Sequence, residues 1–274
     1  MVDDMSRRGF DPLTYRFEDQ VPKPGEVTKI AEGVFWIRMP MMGSLNHINV
    51  WLLEDNDGWT IVDTGIHNDS VQKHWETIFE KHLNGKPIVR VIATHLHSDH
   101  TGNVGWICAK WDCELWMSRS DFYMCKVMAA DGPSDVPDDA IRFYRRAGFT
   151  EERLDRYRER FGQFGANISP LPSGYRRITD GQYIDIGGRE WRALIGHGHA
   201  PEHVCLYCPE LKIIIAGDQI LPRITPNVSV QPSEPYANPL RDWIASCGHF
   251  RELLPPNLLV LPAQQELYEG VHER

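Results

Sequence analysis

Between Ile88 and Val104 the chain reads IVRVIATHLHSDHTGNV, and inside it His95, His97, Asp99 and His100 stand in the spacing His-x-His-x-Asp-His. The apolar run 89–93 reads as a buried strand. Side chains alternate faces along an extended segment, so His95 and His97 are expected to leave the strand end pointing the same way, two imidazoles for one metal. Asp99 and His100 follow once the chain has begun to turn, with Gly102 expected to supply backbone geometry that other residues resist. They begin a second site. Imidazole nitrogens mixed with a carboxylate suit zinc, iron or manganese, and no run of thiolates or of oxygen-only ligands points to iron-sulfur clusters or calcium. A lone histidine is most often a hydrogen-bonded structural residue, but four ligand-type side chains within six residues crowd imidazoles together for no structural gain.

Three other places carry compatible chemistry. Gly196 to His203 reads GHGHAPEH, where glycines and a proline break a strand and leave His197, His199 and His203 on a loop. Asp218 follows the apolar strand of KIIIAGD, where it could cap a helix. Asp63 opens Asp63-Thr64-Gly65 at another strand end, where it could cap the next helix. Cys205 and Cys208 form a C-x-x-C pair, but in a strand an offset of three sends the two sulfurs to opposite faces.

At these residues the chain resembles the metallo-β-lactamase superfamily. The His-x-His-x-Asp-His spacing, Gly198-His199-Ala200-Pro201-Glu202-His203 as Gly-His-x-Pro-x-His, Gly217-Asp218 and Asp63-Thr64-Gly65 occur in the family's order, from about Val27 onward. The resemblance implies that His95, His97 and His199 hold one metal, that Asp99 and His100 hold a second, and that Asp218 bridges them. Asp63 and His203 would support the ligands from behind, and Asp99 would accept the proton of the attacking water. One position departs from the pattern. After the last strand the family carries a histidine, and here the chain has Gln264. A neutral amide oxygen is a poor donor to zinc, so the second site should bind more weakly or recruit another group such as His272.

The implied fold is a four-layer αββα sandwich of the α/β class spanning 29–274, with residues 1–28 as an irregular arm and a helical insertion at about 119–168. The implied function is metal-dependent hydrolysis of an acyl bond, a thioester or lactone as in glyoxalase II-like and lactonase-like members, with zinc as cofactor and iron or manganese as alternatives. A bound dication lowers the pKa of water from about 15.7 to about 7, supplying hydroxide at neutral pH. Rival readings are a phosphodiesterase or ribonuclease, an iron-dependent redox relative, and a non-catalytic binding protein whose decay begins at Gln264.

The elements that position these residues are legible from periodicity. VFWIRM from Val34, HINVWLLE from His47 and GWTIVD from Gly58 read as strands, the last two joined by a turn at Asp55 to Gly58. Val71, Trp75, Ile78, Phe79 and Leu83 recur at helical spacing, as do residues from Gly102 to Trp111. QYIDI and REWRALIG form a hairpin at Gly187-Gly188, VCLYC and KIIIAGD another, and NLLVLP is the last strand. Leu240, Trp243, Ile244, Cys247, Phe250 and Leu254 are expected to form one inward apolar stripe. In the insertion, helical periodicity is broken by a turn at Gly132, Pro133 and Pro137. Its arginines, among them Arg145, Arg156 and Arg158, alternate with acids as on a solvated face. The proline-rich stretch from Ile220 to Pro239 should run as a loop near the site mouth, offering Arg223, Asn227 and Tyr236 as candidate substrate contacts.

Bulk properties narrow the partners. A hydrophobic fraction of 42% with 24% charged residues is that of an ordinary globular protein. A net charge of -9 opposes polyphosphates, which makes nucleic acid an unfavoured partner and a small acyl substrate the favoured one. No apolar segment reaches membrane-spanning length and the first twenty residues lack a signal-like apolar core, so a cytoplasmic protein with six reduced cysteines is expected. A homo-oligomer is compatible with the sequence.

Overall fold

The computed structural model describes residues 12–43, 45–131 and 135–274. The first eleven residues of the expected arm, and Gly132 and Pro133 of the expected turn, lie outside them. A seven-stranded sheet comes first, in spatial order β1 (Thr28–Ala31), β2 (Val34–Pro40), β3 (His47–Glu54), β4 (Trp59–Val62), β5 (Ile88–Ile92), β6 (Glu114–Met117) and β7 (Arg176–Arg177). Strands β1 to β4 pair antiparallel, and β4 to β7 pair parallel. The second sheet holds β8 (Tyr183–Ile186), β9 (Arg189–Gly196), β10 (His203–Cys208), β11 (Ile213–Gly217), β12 (Leu259–Pro262) and β13 (Tyr268–Glu269) in reverse spatial order, with β11 and β12 its parallel pair. The helices are α1 (Asp69–His82), α2 (Ser98–Thr101), α3 (Val104–Trp111), α4 (Arg119–Ala130), α5 (Asp138–Arg146), α6 (Glu151–Arg160) and α7 (Pro239–Leu253).

Three apolar clusters define four layers. One lies between α1, α3, α4 and the outer face of the first sheet, through Ile37, Val50, Ile61, Trp75 and Ile107. The middle one joins the two sheets through Trp36, Trp51, Val62, Trp191, Leu206 and Ile215. The third packs α7 on the second sheet through Leu194, Ala216, Phe250 and Val260. Successive residues of a strand therefore fall in different clusters, Val50 outward and Trp51 inward, which is why HINVWLLE reads as a continuous apolar run. Fully burying a side chain of this size contributes about 1.5–3 kcal/mol. Cys205 and Cys208 sit in the outer and middle clusters respectively, on opposite faces of β10, and all six cysteines are free thiols.

Helix α1 starts where Asn68 accepts the Val71 N–H, and Lys81 and His82 stand at its negative end. Asp63 therefore does not cap it. Helix α7 corrects the expected stripe. Phe250 and Leu254 are buried, but Leu240 and Ile244 are 51% and 58% exposed, because the helix's first half packs on the loop at His197 and Gly198 rather than on the sheet. Gly198 is required there, with φ +100° and Trp243 where a Cβ would stand.

Beyond α4 the chain carries α5 and α6, whose arginines pair with local acids, Arg145 with Glu151, Arg156 with Glu152 and Arg158 with Asp155. Residues 12–27 hold a short 3-10 turn at Glu18–Gln20 and touch the second sheet at Thr14↔Glu269. No helix among the described residues is long and apolar enough to cross a membrane.

The ends of β4, β5, β9, β11 and β12 deliver Asp63, His95, His199, Asp218 and Gln264 respectively. The two sheets are stitched along this edge by backbone and side-chain bonds. Val204 N–H reaches Thr94 O at 2.7 Å and Asn49 N–H reaches Ala263 O at 2.7 Å. The Asn49 amide also donates to Pro262 O and Gln265 O, both at 2.9 Å, while its oxygen accepts Trp36 Nε1 and Arg38 Nε.

Candidate metal centre

Beyond β5 the chain bends at 94–96 before α2 begins, so His95 and His97 are brought together by a turned loop and not by strand alternation. His95 Nε2 lies 2.8 Å from His97 Nδ1 and 3.2 Å from His199 Nε2, and His199 Nε2 lies 3.4 Å from Asp218 Oδ2. A tetrahedral cation with ligands at about 2.0–2.1 Å holds neighbouring donors roughly 3.3 Å apart, so these spacings fit a single ion. A second group forms from Asp99, His100 and Asp218, with His100 Nε2 3.6 Å from Asp99 Oδ2 and 3.5 Å from Asp218 Oδ2. Asp218 belongs to both groups.

The surroundings hold the rings from behind and leave the donor atoms facing one another. His100 Nδ1 donates to Asp63 Oδ2 at 2.8 Å, and Asp63 also accepts Thr94 N–H and Thr94 Oγ1, each at 2.8 Å. His199 Nδ1 donates to Asn227 O at 2.9 Å. His100 Nε2 and Asp218 Oδ1 are buried without any hydrogen-bond partner among the described residues, as a metal ligand's donor atom would be. His203 stacks on His95 and its Nε2 accepts the Asp218 N–H at 3.1 Å. Gly217 packs so closely on the His203 ring that a Cβ would stand 2.5 Å from it.

Electrostatics separates the two groups. Burial, reinforced by the neighbouring imidazoles, holds His95 and His203 well below the ordinary imidazole range and takes His97 down to about 3. These rings are neutral at pH 7 and need shed no proton to bind a cation. Burial works to lower His100 too, but the carboxylates of Asp63, Asp99 and Asp218 overcome it and raise His100 well above its ordinary value. Burial raises Asp99. For Asp218 burial is outweighed by His100 and His199, which hold it well below the usual carboxylate range.

The superfamily model for metallo-beta-lactamases matches residues 43–260. The chain belongs to the metallo-beta-lactamase superfamily. Within it, the chain is 23% identical over 245 residues to the acyl-coenzyme A thioesterase MBLAC2 of Homo sapiens, covering 85% of this chain and 78% of that protein. The Gallus gallus protein of the same name is 23% identical over 248 residues, 87% and 80% of the two chains. Among solved structures, a beta-lactamase domain protein from Burkholderia ambifaria is 38% identical, with a TM-score of 0.85 over 96% of this chain and 78% of that one.

Several expectations from the sequence meet a different arrangement here. Gly102 is ordinarily helical, at φ -52° and ψ -45°, and is needed because a Cβ would meet His67 N at 2.4 Å and Gly65 O at 2.5 Å. His272 does not replace a ligand, since its Nε2 is bonded to Leu254 O at 2.8 Å beneath the third cluster. His197 is exposed and bonds Pro201 O. Arg223 is engaged by Glu18, Glu266 and the Tyr15 ring, and Tyr236 stands 99% exposed. Asn227 acts through its carbonyl on His199. Gln264 is buried, its Nε2 4.0 Å from Met41 Sδ and its Oε1 without a partner among the described residues, one residue past the Ala263 N–H that bonds Gly217 O. Thr94, just past the end of β5, and Asn49, within β3, tie down the rim segments, yet as single polar residues beside apolar runs they carry no motif.

Proposed function

We propose that this hydrolase cleaves acyl thioesters, with lactones as the neighbouring acyl class. Zn2+ is the cation, held by His95, His97 and His199 with Asp218, and Asp99, His100 and Asp218 hold a second cation more weakly for want of an imidazole at Gln264. The observation that carries this reading is the convergence of three imidazole nitrogens and one carboxylate oxygen, remote in sequence, to separations that suit one ion. When bound, such a dication supplies hydroxide from water near neutral pH and polarises a carbonyl oxygen, which is the chemistry acyl hydrolysis needs.

The chain's own groups do the rest. Asp63 fixes the His100 ring and Asn227 O fixes the His199 ring, so neither ligand must be reoriented on binding. Asp99, raised by burial, is suited to hold a proton at its carboxylate during the reaction. The thioester preference is supported by the acyl-coenzyme A thioesterase name of two relatives. Arg145, Arg156 and Arg158 of the insertion are paired with neighbouring acids, and with the net charge of -9 this favours a small acyl substrate over nucleic acid.

The test is metal analysis beside a panel of acyl-coenzyme A thioesters and lactones, for wild type and Gln264→His. Wild type should retain fewer than two tightly held cations and lose thioester hydrolysis to a chelator, with recovery on adding Zn2+. Gln264→His should retain more metal. Full, equal occupancy in both proteins would remove the assigned role of Gln264, and inactivity on every ester with Zn2+ bound would remove the hydrolytic reading.

A further inference from the structure

A completely buried carboxylate, Asp121, sits in the first turn of α4 and belongs to neither donor group. Its Oδ1 accepts the Leu96 N–H at 2.9 Å, and its Oδ2 accepts the Glu202 N–H at 2.8 Å and the Ser118 hydroxyl at 3.2 Å. Leu96 lies between His95 and His97, and Glu202 lies three residues beyond His199 and one before His203. One side chain thus holds both ligand-bearing loops. The contact is reciprocated, because Glu202 Oε2 accepts the Ser120 N–H at 2.6 Å. One turn further along α4, Cys125 Sγ lies 3.7 Å from Thr101 Oγ1, whose hydroxyl is bonded to Leu96 O and His97 O.

An acid in the first turn of a helix ordinarily serves the helix's own exposed amides. Asp121 instead spends its acceptors on amides from two other segments, and no cation among the described residues pairs with it. A charge desolvated to this degree stays in place only when its hydrogen bonds are well made. The loops bearing His95, His97 and His199 come from different sheets, after β5 and after β9, so their separation is not set by strand pairing alone.

We infer that Asp121 is a positioning residue. It fixes the distance between the His95–His97 loop and the His199 loop at the span one cation requires, making α4 part of the metal scaffold. The inference rests on the metal reading given above.

The experiment compares wild type with Asp121→Asn, Ser118→Ala and Asp55→Asn, using Zn2+ titration against a chelating dye and the visible spectrum of Co2+-loaded protein. In Asp121→Asn the new NH2 must face one of the two backbone donors, so one loop is released. Zn2+ binding to the first group should weaken by about 10–100-fold and the Co2+ bands should shift. Asp55 is the control for general damage, because it is also buried and accepts Thr60, Arg90 and Gly187, but at the opposite end of β4. Its substitution should lower the thermal midpoint and leave the Zn2+ affinity and Co2+ spectrum unchanged. Wild-type affinity with an unshifted spectrum in Asp121→Asn overturns the inference, and so does an equal loss in Asp55→Asn. If Asp121→Asn does not fold, Ser118→Ala decides: a weaker but same-direction change supports the role, and no spectral change overturns it. Wild-type protein that takes up neither cation overturns the metal reading and this inference together, an outcome distinct from the failure of Asp121 alone.

Discussion

The two donor groups share Asp218 and differ in almost everything else. The first gathers His95, His97 and His199 from two loops, and burial pushes the His95 and His97 rings toward the neutral form. The second takes Asp99 and His100 from a single tight turn, and three carboxylates push its histidine well above the ordinary imidazole range. Cation binding at the first group therefore meets rings that burial favours as neutral, whereas at the second it competes with a histidine whose protonated form the carboxylates favour. The comparison teaches that two sites a few ångströms apart can be tuned in opposite directions, one by desolvation and the other by charge.

The widest separation between shared and unshared ligands should come from Asp218→Ala. It should release cations from both groups and cut thioester hydrolysis on the order of 10³-fold, since several kcal/mol of transition-state stabilisation leave with the ion. His100→Ala should empty only the second group, and equal metal loss in the two variants would dissolve the distinction. Asp63→Asn comes next. Without the carboxylate that fixes His100, affinity at the second group should fall by about 10–100-fold while the first group keeps its own, read by metal competition.

The smallest effect concerns the rim at Gln264. His47 Nε2 accepts the Gln265 N–H, and burial, aided by Arg38, lowers His47 to about 4. In the unfolded chain the ring returns to about 6.5, so as pH falls the unfolded state takes its proton first. Stability from this contact is fully present above about 6.5 and is lost as pH falls toward 4. His47→Asn should flatten this part of the melting profile by about 2–4 °C between pH 7 and pH 4.5, and an unchanged slope would place the softness elsewhere.

The layers were legible because strands covered on both faces show as unbroken apolar runs, and His95 to His100 because six consecutive residues carry their own spacing. His199 and Asp218 could be connected to that cluster only through the order of superfamily motifs. Asp121 had no such signal, since an acid at the start of a helix looks like ordinary dipole compensation until the neighbouring loops are seen to donate to it. Strands β1, β7 and β13, four residues or fewer, leave too little periodicity to detect. The exposed half of α7 misled because a helix can satisfy the apolar period while resting on a loop instead of a sheet.

Asn49 has a mechanical consequence. With one amide gripping Trp36 and Arg38 on its own sheet and the backbone of Pro262 and Gln265 on the other, it works as a rivet through the rim where the ligands emerge. Sliding one sheet past the other there would break these bonds and carry off the segment that holds Gln264, whose neighbour Ala263 is bonded to Gly217 O beside Asp218.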